Sequence, residues 1–111
     1  MKLTSHEEDI LGDMQFDAYE LWEWYVYIRT HYPEMSEAEI ISYGRDLLVS
    51  WFERGWLIAF KSREDKSVLS VEEFLAKVDE LGAKITDPNK ALILLDLTKQ
   101  ASKDVNWLGD A

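Results

Sequence analysis

The sequence predicts a small α+β protein that is mostly helical, with three main helices and a two-stranded antiparallel sheet. Hydrophobic residues make up 47% of the 111 residues and charged residues 31%, a balance typical of a folded domain rather than a disordered chain. Two capping boxes mark the starts of the second and third helices, and two short β-prone runs flank the third helix. A chain of this length supports one modest core, so we expect a single domain over residues 1–111.

The first predicted helix covers residues 13–31, a stretch with no proline or glycine and with a helical pattern. Pro33 ends it, because proline disfavours helical geometry in the residue before it. The preceding residues 1–12 are polar and acidic, and we expect them to form a flexible N-terminal segment.

Two Ser-x-x-Glu capping boxes mark the start of the second and third helices. The pairs are Ser36 with Glu39, and Ser70 with Glu73. Gly55 and Gly82 follow the two helical patterns and are expected to end them. Gly44 lies inside the second helix at a cost of about 1 kcal/mol relative to alanine, which is tolerable if another backbone packs closely there.

Two β-prone runs lie on either side of the third helix: WLIAFK, residues 56–61, and ALILLDLT, residues 91–98. Asp87 and Pro88 would suit the start of a helix over the second run, but its alternating pattern favours a strand. A lone strand leaves backbone groups unsatisfied, so we predict that the two runs pair antiparallel. Trp107 is expected to hold the C-terminal segment against the domain.

The charge is unevenly distributed along the chain. The formal net charge is −10, of which residues 1–40 carry −8. Such a field repels the phosphate backbone of nucleic acids and attracts cationic partners. We therefore expect a basic protein partner rather than nucleic acid or a membrane. The chain has no cysteine and no apolar run long enough to span a bilayer or to form a signal peptide, so we expect a cytoplasmic location.

Residues 19–32 contain six of the 14 aromatic residues, more than one core face of a helix can hold. On a wheel of about 100° per residue, Trp22 and Tyr25 fall on the core side, and Trp24 and Tyr27 fall among carboxylates on the other. Tryptophan and tyrosine are frequent hot spots, and carboxylates steer basic partners. The predicted partner-binding residues are Asp13, Asp17, Glu20, Glu23, Trp24 and Tyr27. The alternative is that Trp24 and Tyr27 pack beneath the chain termini.

The sequence shows no catalytic constellation. His6 and His31, the two histidines, have neither a matched nucleophile nor metal-ligand spacing, and we expect His31 to cap a helix end. There is no glycine-rich phosphate loop. We therefore predict no catalytic residue, no cofactor and no metal site, and expect a protein that is not an enzyme.

The predicted order of helix, helix, strand, helix and strand resembles a winged-helix domain with a helix inserted between its two wing strands. The segment SEAEIISYGRDLLVSWFERGWLIAFK, a helix that runs through glycine into a strand, carries this resemblance. A winged helix normally reads DNA with the second helix of its pair. That helix is predominantly acidic here, which does not suit a duplex.

The segment LWEWYVYIRTHYPEMSEAEIISYGRDLL, together with the small size and the acidity, resembles bacterial immunity proteins of contact-dependent growth inhibition and related polymorphic toxin systems. Members of this class bind and block a toxin domain, commonly a nuclease. The resemblance implies an acidic protein that neutralises a cognate, basic toxin. Two alternatives remain: an acidic winged-helix-like adaptor or regulator of another cytoplasmic protein, acting alone or as a homodimer, and a nucleic-acid mimic that inhibits a DNA-binding protein.

Overall fold

Five helices and four short strands form the part of the chain that the computed structural model describes, residues 3–105 without the side chain of His6. The elements are α1 Ser5–Met14, β1 Tyr19–Glu20, α2 Leu21–His31, α3 Glu37–Glu53, β2 Leu57–Phe60, β3 Val68–Leu69, α4 Val71–Leu81, a 3-10 turn Gly82–Thr86, β4 Leu94–Leu97 and α5 Lys99–Asp104. The predicted α+β, mostly helical class is confirmed. The predicted order survives in α2, α3, β2, α4 and β4, and the structure adds α1, β1, β3 and α5. Trp107 lies outside the described residues.

The four strands form one antiparallel sheet in the order β1-β4-β2-β3. The predicted pairing of the two β-prone runs is confirmed, since Leu57 lies opposite Leu97 and Phe60 opposite Leu94. The prediction of only two strands is wrong, because β1 and β3 add a strand at each side. Both added strands are two residues long, and so short a run gives almost no periodic signal in a sequence.

The helix boundaries predicted from capping boxes are confirmed. Ser36 accepts a hydrogen bond from the backbone of Glu39 at 3.2 Å, and Glu39 accepts one in return from the backbone of Ser36 at 2.9 Å. The capping box that begins α4 has the same reciprocal geometry. Gly55 and Gly82 take positive φ angles of 76° and 52°, a region that other residues rarely adopt, and they end α3 and α4.

The predicted continuous helix over residues 13–31 is wrong, because the chain breaks between α1 and α2. In the break, Tyr19 and Glu20 pair with Leu95 and Leu94 of β4, so sheet hydrogen bonds replace helical ones. The backbone N–H of Leu21 then donates to a carbonyl of the segment before β4, that of Ile93, at 2.8 Å. This contact satisfies a group that the first turn of α2 would leave unpaired.

The N-terminal residues predicted to be flexible form helix α1 from Ser5 onward. Thr4 and Glu7 make a third capping box at its start. Ile10, Leu11 and Met14 are buried in the core. The acidic residues around these apolar positions concealed an amphipathic helix, so the prediction of a flexible segment is wrong for this part of the chain.

Three fully buried tryptophans organise the core, and each indole N–H has an acceptor. Trp24 packs edge-on against Trp51, with ring centroids 5.2 Å apart, and Trp51 lies 5.7 Å from Trp56. The indole of Trp51 donates to Glu7 of α1 at 3.1 Å, and that of Trp56 donates to Asp104 of α5 at 2.8 Å. The first and last described helices are therefore tied directly to the aromatic core.

Gly44 of α3 is tightly enclosed by side chains of α2. A Cβ atom at this position would overlap the ring of Tyr25 and lie 3.1 Å from Ile28 Cδ1, both in α2. The glycine thus lets α2 and α3 approach closely. The Tyr25 hydroxyl is buried there and has no hydrogen-bond partner among the residues that the structure describes. No described helix has the length and apolar character needed to cross a bilayer.

Candidate functional site

The structure reverses the predicted placement of two tryptophans in α2. Trp24, predicted on the exposed face, has 0% of its surface exposed, and its indole donates to the carbonyl of Gly44 at 3.2 Å. Trp22, predicted in the core, is only half-buried, and its indole donates to Glu20 Oε1 at 3.1 Å. The predicted exposure of Trp24 is wrong, since Trp24 is buried and packs against Gly44 and Trp51 of α3. The candidate surface therefore includes Trp22 and does not include Trp24.

The error came from the assumption of one long helix. The buried side chains of α2 are Leu21, Trp24, Tyr25 and Ile28, which follow the i, i+3, i+4, i+7 spacing of a core-facing stripe. When the acidic residues before the break were placed on the same wheel, they shifted the apparent polar face onto Trp24. A wheel confined to α2 places Trp24 in the core.

Three of the predicted acidic residues converge around one arginine. Arg63, from the loop between β2 and β3, lies 3.9 Å from Asp17, 3.8 Å from Glu20 and 3.5 Å from Glu23. It also donates to the carbonyl of Ala18 at 3.3 Å. The structure therefore confirms that these carboxylates share a surface, and it adds a cation that the sequence did not point to.

Arg63 is held loosely compared with the other ion-paired arginines. Charge-assisted hydrogen bonds of nitrogen to carboxylate oxygen are typically about 2.7–2.9 Å long. Arg29 with Glu37 and Arg45 with Asp79 meet this range, at 2.7 and 2.8 Å. The carboxylates around Arg63 all stand farther away. Glu20 Oε1 accepts from the Trp22 indole and Glu23 Oε1 from the backbone of Glu20, so other donors can reach the second oxygen of each carboxylate.

The aromatic part of the surface lies beside these carboxylates. Tyr27 stacks on His31 with centroids 4.2 Å apart and lies 6.2 Å from Tyr19. Together with neighbouring residues of α2 they line a shallow groove of about 280 Å³, which also includes Trp22 and Glu23. We call the following set the acidic-aromatic surface: Asp13, Asp17, Tyr19, Glu20, Trp22, Glu23 and Tyr27.

Two tyrosine hydroxyls of this surface are held in the neutral form. Burial, and then the hydrogen bond to Asp13 at 3.1 Å, raise the pKa of Tyr19. Burial and the charges of Asp9 and Asp13 raise the pKa of Tyr27 to about 12. Both phenols therefore remain hydrogen-bond donors throughout the physiological pH range, and Asp13 joins the surface through Tyr19.

The acidic-aromatic surface has the charge and shape to recognise a cation. Within residues 3–105, and leaving out the side chain of His6, no group of three or more metal-ligating side chains is arranged to hold an ion. The four carboxylates of the acidic-aromatic surface and one guanidinium carry a formal net charge of −3. Such a surface can accept lysine or arginine side chains while its aromatic groove packs against their aliphatic stems.

The residues that the sequence did not predict are Tyr19, Trp22 and Arg63. The i, i+3, i+4, i+7 pattern of buried residues in α2 could have indicated that Trp22 lies outside the core. Nothing in the local sequence indicated the position of Arg63, which is 40 residues beyond Glu23.

Comparison with known proteins gives no match: no protein-family model, no curated protein and no solved structure matches this chain.

Proposed function

We propose that this chain is a cytoplasmic bacterial immunity protein that binds and neutralises a cognate, basic toxin domain, such as a nuclease, through the acidic-aromatic surface. The observation that carries the proposal is the meeting of Asp17, Glu20 and Glu23 around a single, loosely held Arg63. A nuclease that grips phosphates has a basic cleft, to which such a surface is electrostatically complementary.

Arg63 has a specific part in this proposal. Three carboxylates brought together without a cation would repel one another and disfavour the free protein. Arg63 lowers this repulsion, but because it makes no tight pair, incoming lysine or arginine side chains can bind the same carboxylates. Association would then add cations to the surface without first breaking a strong internal ion pair.

The aromatic residues supply the apolar contact. Trp22 and Tyr27 are half-buried and already ordered by their neighbours, so they lose little conformational freedom when a partner covers them. Phe16, next to Asp17 in the chain, is 75% exposed. Large aromatic side chains at the centre of a polar rim are the usual arrangement of an interface hot spot.

The test begins with capture of the partner from cells of the source organism, followed by an assay of whether the captured protein is toxic and whether this chain blocks it. Trp22→Ala should weaken binding by on the order of 2 kcal/mol, as loss of an anchor does. Asp17→Lys should slow association, and added salt should slow the wild type in the same direction. Glu72→Lys, an equal charge change at an exposed position of α4, should leave binding unchanged.

Several results would contradict the proposal. If the captured partner is not toxic and is a regulator, the adaptor alternative takes its place. A captured DNA-binding protein whose DNA competes with this chain would favour the nucleic-acid mimic. The purified chain should show no hydrolase or transferase activity and should not retard duplex DNA at physiological salt. Tight duplex binding would contradict the inference that this acidic chain does not bind nucleic acid.

A further inference from the structure

A second groove, separate from the acidic-aromatic surface, has the opposite charge. Four lysines border it: Lys61 after β2, Lys77 of α4, Lys84 of the 3-10 turn and Lys90 before β4. Glu80 is the single acid that lines it. The groove therefore gathers four of the chain's twelve basic residues, with a formal net charge of +3, in a protein whose total is −10.

The four lysines have no strong internal partner. None of their ammonium groups forms a salt bridge with a carboxylate of residues 3–105, whereas the ion pairs of this region involve arginines. Glu73 is near enough to Lys61 and Lys77 to feel their charge, but its carboxylate is engaged in the capping box with Ser70. Four like charges placed together without pairing destabilise the free protein and favour a bound anion.

The floor of the groove is apolar. It is formed by Leu69, Leu81, Leu92 and Ile93, and Leu92 is 38% exposed whereas the other leucines of residues 3–105 are buried or half-buried. The cavity measures about 520 Å³. This volume falls within the roughly 300–1,000 Å³ of small-molecule sites, which are mostly apolar with a few charged groups that orient the ligand.

We propose that this lysine groove, bordered by Lys61, Lys77, Lys84 and Lys90, binds a small amphipathic anion whose apolar body lies on the leucine and isoleucine floor and whose anionic head group lies among the lysines. The total charge of the chain selects small ligands over nucleic acids, since a polyanion is repelled by the surrounding −10 field, whereas a ligand with one or two charges feels mainly the nearby lysines. The site does not depend on the immunity function proposed above.

Decanoate is a suitable probe, because it joins a ten-carbon chain to one carboxylate. Titration into the wild-type protein, followed by NMR of the leucine and isoleucine methyl groups, should show saturable one-to-one binding with shifts centred on Leu69, Leu81, Leu92 and Ile93. Decanol has a similar apolar body without the charge, and decyltrimethylammonium reverses the charge. Both should bind roughly tenfold or more weakly than decanoate, since each exposed ion pair contributes modestly but several act together.

Matched variants separate this site from general electrostatics. Lys77→Gln with Lys84→Gln should weaken decanoate binding by roughly tenfold. Lys99→Gln with Lys103→Gln, exposed positions of α5, produces the same change in net charge and should have no such effect.

Three outcomes would overturn the proposal. They are equal binding of decanol and decanoate by the wild type, methyl shifts outside the groove, and equal loss in the two double variants. A hexaglutamate peptide that binds the groove when decanoate does not would assign it instead to an acidic segment of another protein. Because the decanol comparison uses the wild type, the proposal is decided even if a variant folds poorly.

Discussion

Replacing each of the two tryptophans of α2 with alanine tests the packing on which the candidate site depends. Trp24 is fully buried, and its replacement should cost about 3–5 kcal/mol of unfolding free energy for the lost burial and the cavity. The lost hydrogen bond to Gly44 and the edge-on contact with Trp51 each contribute on the order of 1 kcal/mol, which places the expected cost at the upper end of that range.

Trp22→Ala should be much milder for stability. Its side chain is half-buried and its indole bonds to Glu20, so we expect a loss of about 1–2 kcal/mol. Urea denaturation of the two variants, followed by far-UV circular dichroism, measures both values. Domains of this size have total stabilities of about 5–15 kcal/mol, so Trp24→Ala will leave a marginal fold while Trp22→Ala remains well folded.

Phenylalanine at each position provides a control that retains part of the ring. Trp24→Phe should cost about 2 kcal/mol, because it keeps most of the packing but removes the buried indole donor. Trp22→Phe should change stability by less than Trp24→Phe. The reasoning would be refuted if Trp22→Ala destabilised the protein as much as Trp24→Ala, since Trp22 would then belong to the core and could not serve a partner.

Three further predictions concern the α2–α3 contact and the helix caps. Gly44→Ala should lower the free energy of unfolding by about 1–3 kcal/mol in urea denaturation, because overlap of the new methyl group with the Tyr25 ring outweighs the gain of about 1 kcal/mol in helix propensity. A net gain in stability would contradict the close packing of α2 on α3. Tyr25→Phe removes a buried hydroxyl without a partner and should leave stability unchanged or raise it by up to about 1 kcal/mol, so a clear loss would reveal a missed hydrogen bond. Hydrogen bonds from Ser36 lower the pKa of Glu39 in the folded state. The ionised Glu39 carboxylate therefore stabilises the fold at pH values above its pKa in the unfolded chain, and this contribution is lost as pH falls through its pKa in the folded protein. Urea denaturation at decreasing pH should show that decline in the wild type, and Ser36→Ala should both reduce it and cost about 1 kcal/mol at neutral pH.

Local chemistry determined the features that were read correctly from the sequence. The caps at Ser36 and Ser70 depend on hydrogen bonds between residues three positions apart, so a short motif contains all the information they need. Gly55 and Gly82 end helices because of their own backbone freedom. The pairing of β2 with β4 also followed, since each was the other's evident partner for unsatisfied backbone groups.

The candidate surface was only partly predictable. Asp17, Glu20 and Glu23 do share a surface, because they are close in sequence around the start of one helix. The facing direction of α2 was misjudged because β1 interrupts the predicted helix, and β1 exists only through pairing with Leu94 and Leu95. Pairing with a strand about 75 residues away in sequence thus separates α2 from the residues before it. As a result Trp24, and not Trp22, faces the core.

The sequence by itself determined the α+β fold class, the limits of α3 and α4, and the excess of acidic residues in the first third of the chain. Only the tertiary structure decided which aromatic side chains are exposed, that Arg63 joins the carboxylates, and that four lysines from separate elements border one groove. The physical reason is that capping and composition act over a few residues, whereas burial and the meeting of charges depend on segments that chain folding brings together.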